Sequence, residues 1–147
     1  MKKIKNEDFA NALTAVETML TNGILDKEYD GYVSSLGASI INSGLLPTLS
    51  FYTDVHKSAS EVRRFKLLKA IFAVVNPTAA EAAGNDNKGL LNYVLEKVYG
   101  EGFQHAPAGT LGEGDKKELA KQKSRLLEAA VAVKLAMRNF KHSDSRN

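Results

Sequence analysis

Apolar residues recur at intervals of three and four along almost the whole of this chain, and no segment sustains the strict alternation that a half-buried strand requires. The chain therefore reads as all-α. Its 147 residues suffice for one core, so the expectation is a single helical domain over 1–147, a compact bundle of about six helices with a long C-terminal helix.

The first helix runs from Glu7 to about Thr21, with Phe9, Leu13, Val16 and Leu20 on one stripe, Asn6 as its cap and Gly23 in the left-handed position beyond its end. The second, Tyr29 to Ser43, carries Tyr29, Tyr32, Val33, Leu36 and Ile40 on one face. Its reverse face of Gly31, Ser34, Ser35 and Ala38 is small enough for another backbone to approach, and Gly44 stops it. Leu46-Pro47 opens a third helix, continued by Leu49, Tyr52 and Val55 or His56. Ser58-Ala59-Ser60-Glu61 reads as a capping box for a fourth, central helix whose stripe is Val62, Phe65, Leu68, Phe72 and Val75, with Leu67 and Val74 apolar on the other side. Asn76-Pro77 ends it, and Thr78 caps a short helical turn. A fifth helix, Leu90 to Tyr99, packs through Leu91, Val94, Leu95 and Val98.

Five glycines and one proline between Gly100 and Gly114 predict a mobile loop. Asp115, reinforced by Glu118, caps a final helix reaching about Lys141, which at 1.5 Å per residue is about 40 Å long. Its seam of Leu119, Leu126, Val133, Met137 and Phe140 suits packing along a bundle or against a partner helix. The polar tail 142–147 is expected to fray.

Chemistry-bearing patterns are scarce. The chain has no cysteine, which excludes disulfides, thiolate metal sites and a cysteine nucleophile and fits a reducing compartment. A charged N-terminus with no apolar stretch behind it, and no run near the ~20 residues that cross a bilayer, predict a cytoplasmic protein without a membrane partner. His56, His105 and His142 fall on separate elements with no HExxH pair, so no metal site is expected. Gly100-Glu101-Gly102 lacks the remainder of a phosphate-binding loop. Asn85-Asp86-Asn87-Lys88-Gly89 places a lysine where a calcium ligand belongs, and Asp26 with Glu28 reads as solvated linker charge rather than an acid/base couple. The expectation is a chain that is not an enzyme and takes no cofactor.

Charge placement says more than its total of +3. From Asp115 onward nine basic residues stand against four acidic ones, so a +5 terminal segment is joined to a −2 body. At 100° per residue Lys116, Lys123, Lys134, Arg138 and Lys141 fall within about 60° of one another, beside the apolar seam. Such a stripe can follow a phosphate backbone without reading bases; a solvated lysine face is the competing reading. Arg63, Lys66 and Lys69 on the fourth helix are candidates to extend it.

The stretch from Ile40 to Tyr52, Ile-Ile-Asn-Ser-Gly-Leu-Leu-Pro-Thr-Leu-Ser-Phe-Tyr, resembles the signature of the small subunit of the type III-B CRISPR effector, the Cmr complex. There an apolar helix ends in an Asn/Ser-Gly-Leu turn and restarts as Thr-Leu-Ala-Phe. The motif has a physical reading: Gly44 permits the turn, Leu45 plugs the corner, Thr48 and Leu49 lie in the restarted helix, and Leu49 and Phe51 pack beneath. Glu128-Ala129-Ala130 leading to Arg138-Asn139-Phe140-Lys141 is similar to the family's closing helix. The family's proline in the second helix is replaced near Gly37 and its tryptophan in the last helix is missing, both packing positions. The resemblance implies a small, all-α, non-catalytic subunit present in several neighbouring copies of itself. It would flank guide RNA and target RNA beside the backbone and large subunits, with cleavage left to other subunits and sequence specificity to base pairing. The readings left open are the equivalent type III-A subunit, a helical adaptor whose lysines only maintain solubility, and, last, a metal-dependent nuclease.

Overall fold

Small side chains set the helix spacing at the centre of the molecule. The computed structural model describes residues 4–54, 58–100 and 113–143. Over these the chain forms α1 (Asn6–Glu17), α2 (Glu28–Ser43), α3 (Leu45–Thr53), α4 (Ala59–Val75), α5 (Pro77–Ala83), α6 (Gly89–Tyr99) and α7 (Glu113–Met137). The all-α fold with a long last helix is as the periodicity predicts. The seventh helix arises because the turn expected after Pro77 is a helix of its own.

α1 buries Asp8, Ala12, Ala15 and Val16, with Met19 just beyond its end. Of the expected stripe only Val16 is fully buried; Phe9, Leu13 and Leu20 pack at the margin. α7 turns Ala129, Ala132, Val133 and Ala136 inward. Two alanine-rich faces meet, and α1 lies against both α7 and α4, because small side chains let helix axes approach. α4 is the central helix, packed against every other one. A surrounded helix has no single inner face: Leu67, Leu68, Ala70, Ile71, Phe72 and Val74 are buried, whereas Phe65 and Val75 are half-buried and Val62 is exposed. The seam of α7 is used within the bundle, with Leu126, Val133 and Met137 in the core and Leu119 and Phe140 packed against it. Among the described residues the small face of α2 receives no backbone: Gly31, Ser34, Ser35 and Ala38 are exposed, and nothing lies within 4 Å of a Cβ built on Gly31.

Helix ends depart from the expected boundaries for local reasons. Asn6 is the first residue of α1 rather than its cap; Lys5 holds the cap position without a side-chain bond. α1 ends at Glu17, and Asn22 (φ 53°) with Gly23 (φ 76°) makes a two-residue turn closed by Thr21–Ile24 backbone bonds of 2.9 and 3.0 Å. Pro47 is the third residue of α3, not its first. Ser58 Oγ accepts from Glu61 N at 3.2 Å, as a capping residue should. Asn76, not Thr78, caps α5, its Oδ1 accepting from Ala79 N at 3.0 Å with Pro77 directly after it. Gly89 opens α6 one residue early, where an added Cβ would stand 2.9 Å from Ala83 Cβ.

α7 starts at Glu113, so Asp115 lies within its first turn and not at the cap, and the last two residues assigned to the glycine loop are helical. It stops at Met137 after 25 residues, about 37 Å. Of the tail 142–147 expected to fray, the described part, His142 and Ser143, is held. Leu25 N donates to Lys141 O and Ser143 N to Leu25 O, both at 2.8 Å, and Lys27 N donates to Ser143 Oγ at 2.9 Å. Val55, His56, His105, the remainder of the glycine loop and residues 144–147 lie outside the described residues.

Candidate nucleic-acid interface

A basic stripe needs continuous helix beneath it, and α7 supplies that only as far as Met137. Lys116, Lys123 and Lys134 therefore keep the register expected of them. Arg138 follows the last helical residue, and Lys141 belongs to the segment paired with Leu25. Lys116, Arg138 and Lys141 are exposed, Lys123 is half-exposed, and Lys134 turns back across α2 to donate from Nζ to Ser34 Oγ at 2.9 Å. Lys117 and Lys121, also exposed on α7, were passed over in the sequence because they lie off the stripe. Lys121 borders a cleft of about 570 Å³ between α6 and α7 that also contains Lys97, Glu118 and Glu128, so charge of both signs meets there. Lys97 Nζ stands 5.5 Å from the centre of the Tyr93 ring.

Of the α4 candidates, Arg63 and Lys69 are engaged within the fold and Lys66 is half-exposed. Arg63 is engaged inside the fold, Nε 2.9 Å from Asp26 Oδ2 and Nη1 3.2 Å from Glu28 Oε2. The same Glu28 oxygen accepts from Tyr32 Oη at 2.9 Å. Burial works against the Arg63 charge, but the Tyr32 hydroxyl and the two carboxylates outweigh it, so its pKa is raised further. Asp26 and Glu28 are thus structural partners that clamp α4 to the start of α2, a role invisible in a sequence where 35 residues separate Arg63 from Glu28. Lys66 lies one turn along from Arg63, and the two line a cleft with Met19, Tyr29 and Val62. Lys69 donates to Asn85 Oδ1 at 2.6 Å.

Arg125 behaves like Arg63. Nη1 and Nη2 meet Asp8 Oδ2 and Oδ1 at 2.6 and 3.1 Å, and Nη2 also donates to Val74 O at 3.0 Å. The bond to Asp8 raises the Arg125 pKa, outweighing desolvation. This fork ties α1, α4 and α7 together at one point.

The turn motif is largely placed as its residues suggest. Gly44 has φ +96° and ψ 160°, a conformation open to glycine. Leu45, Thr48 and Leu49 are buried, and the hydroxyls of Ser39 and Thr48 stand 2.8 Å apart, joining α2 to α3. Phe51 is the exception. It does not pack beneath the turn but is 60% exposed, with the Arg64 guanidinium 5.1 Å from its ring centre. Two residues beyond Leu49, it lies about 200° round the helix and so turns away from the buried side that Leu49 and Tyr52 take.

The polar turn 85–89 uses its oxygens internally. Asp86 Oδ1 accepts from Lys88 N at 3.0 Å, and Asn87 Nδ2 donates to Thr53 O at 2.8 Å. Among the described residues no three His, Cys, Asp or Glu side chains stand together as a metal site would need, and no helix is long and apolar enough to cross a membrane. His142 pairs Nδ1 with Phe140 O at 3.0 Å and places Nε2 3.5 Å from Asp30 Oδ2.

Residues 4–111 match the family described as CRISPR-associated protein (Cas_Cmr5). No curated protein and no solved structure matches the chain.

Proposed function

This chain belongs to the Cas_Cmr5 family of CRISPR-associated proteins, which makes it a small subunit of a type III CRISPR effector, and from that premise we propose that it is a non-catalytic cytoplasmic subunit that stabilises guide RNA and target RNA through phosphate contacts. The contacts lie along α7, and neighbouring copies of the chain together with backbone and large subunits complete the surface. The observation that carries this reading is the exposure of Lys116, Lys117, Lys121, Arg138 and Lys141 on and just after one 25-residue helix whose opposite side is core. Exposed cations neutralise phosphates and release counterions without reading sequence, which suits a complex in which base pairing selects the target.

The test is RNA binding across a salt series, comparing wild type with Lys116, Arg138 and Lys141 all changed to Ala. Loss of three phosphate contacts lowers affinity and makes the slope of log K against log salt shallower by about 2. An unchanged slope favours the adaptor reading, in which the lysines serve solubility and the packing faces carry the function.

A further inference from the structure

A second site lies away from α7. The end of α1, the α1–α2 connector, the first residue of α2's buried face and the first turns of α4 enclose a cleft of about 560 Å³, a volume within the range of small-molecule pockets. Met19, Ile24 and Val62 supply apolar wall, and Tyr29 and Lys66 bring donors to it beside Arg63, which is paired with Asp26 and Glu28. We propose that this cleft binds a small organic anion, with a phosphate or carboxylate head held by Lys66 and the Tyr29 hydroxyl and an apolar body against Met19, Ile24 and Val62.

Three observations support the assignment. Tyr29 is only 2% exposed and lines the cleft, and its hydroxyl makes no hydrogen bond to a described residue, which leaves it available to a ligand. Tyr29 lines the cleft together with Arg63 and Asp26, whose charges act on its phenol. Burial is the main reason its pKa is pushed up to about 12, which keeps it a donor at neutral pH. Asp26 does not oppose an anion as strongly as its charge suggests: Oδ2 is committed to Arg63 and Oδ1 accepts from Glu28 N at 2.9 Å. Lys66 has no hydrogen-bond or ion-pair partner among the described residues and supplies the uncompensated positive charge.

The experiment is a two-dimensional amide NMR titration of the full chain with three probes: adenosine 5′-monophosphate, octanoate and inorganic phosphate. At least one organic anion is expected to shift the amides of Ile24, Tyr29, Val62 and Lys66, and inorganic phosphate at equal concentration to leave them in place. The organic probe that binds identifies the head group. Tyr29→Phe removes a hydroxyl without an internal partner, so it keeps or raises Tm while weakening binding about ten-fold. Lys66→Ala, at a half-exposed position, weakens it similarly without unfolding the chain. Shifts from inorganic phosphate equal to those from the organic anions, no shifts from any probe, or binding undiminished in both variants would each overturn the proposal.

Discussion

Arg63 and Arg125 differ from the lysines of α7 in what their charges do. Each arginine reaches across the sequence to carboxylates of another helix, Arg125 to Asp8 and Arg63 to Asp26 and Glu28, and is spent on holding the bundle together. Lys116, Lys117 and Lys121 stand in solvent. Side-chain chemistry follows the split. A planar guanidinium can satisfy two acceptors in a partly dry setting, whereas an ammonium on a flexible stem suits a hydrated surface that must meet an irregular polyanion. The lesson is that a net charge, even one resolved by segment, does not locate an interface until internally paired cations have been removed from it.

Breaking the arginine side of this comparison has the largest expected effect. Arg125→Ala leaves the nearly buried Asp8 carboxylate, in a residue 6% exposed, without its partner and releases Val74 O. It is expected to cost about 2–4 kcal/mol and to lower Tm by about 10 °C in thermal unfolding. A Tm within a degree of wild type would show that the fork is ornamental.

Alkaline titration tests the other clamp's surroundings. Tyr29 has its pKa raised to about 12 by burial, so the folded state favours the neutral phenol; its contribution is complete below pH 10 and is lost as pH rises through 12. Stability measured by denaturant should fall over that window, and Tyr29→Phe should flatten the fall. Equal slopes in the two proteins would place the alkaline loss elsewhere.

Arg63→Ala is expected to cost less than about 1 kcal/mol, because its side chain and both carboxylates retain solvent contact. It should leave the salt dependence of RNA binding unchanged, since its charge is already matched. A shallower salt slope for this variant would return Arg63 to the interface. Smallest in stability terms is the triple change of Lys116, Arg138 and Lys141, which should shift Tm by no more than a degree or so while altering RNA affinity, as exposed side chains carry little folding energy.

Fold class was legible because helical periodicity is a property of the whole chain. The position of α4 at the centre was legible for the same reason: apolar residues on both its sides require neighbours on both. Which way α1 faces was not, because the stripe of Phe9, Leu13 and Leu20 outweighs Ala12 and Ala15 in any hydropathy reading, although alanine is what permits close contact with α7. Phe51 misleads in the same manner, as an aromatic residue in an apolar motif that ends up outside. Gly44 was legible, since no other residue accepts φ +96° without strain. The capture of Lys141 and Ser143 by Leu25 and Lys27 was not, because backbone pairing between segments over a hundred residues apart leaves no mark in side-chain pattern. For the basic edge, the sequence located the helix, but only tertiary contacts reveal that Lys134 leans on Ser34 and that Arg63 is consumed.

The most direct measurement is reconstitution of a type III effector lacking this subunit, followed by target RNA binding at physiological salt. Wild-type chain should restore affinity, and a chain with Lys116, Arg138 and Lys141 all changed to Glu should enter the complex at the same stoichiometry yet fail to restore it. Full restoration by the charge-reversed chain would contradict the account, because it would mean that the subunit supports RNA through protein contacts alone.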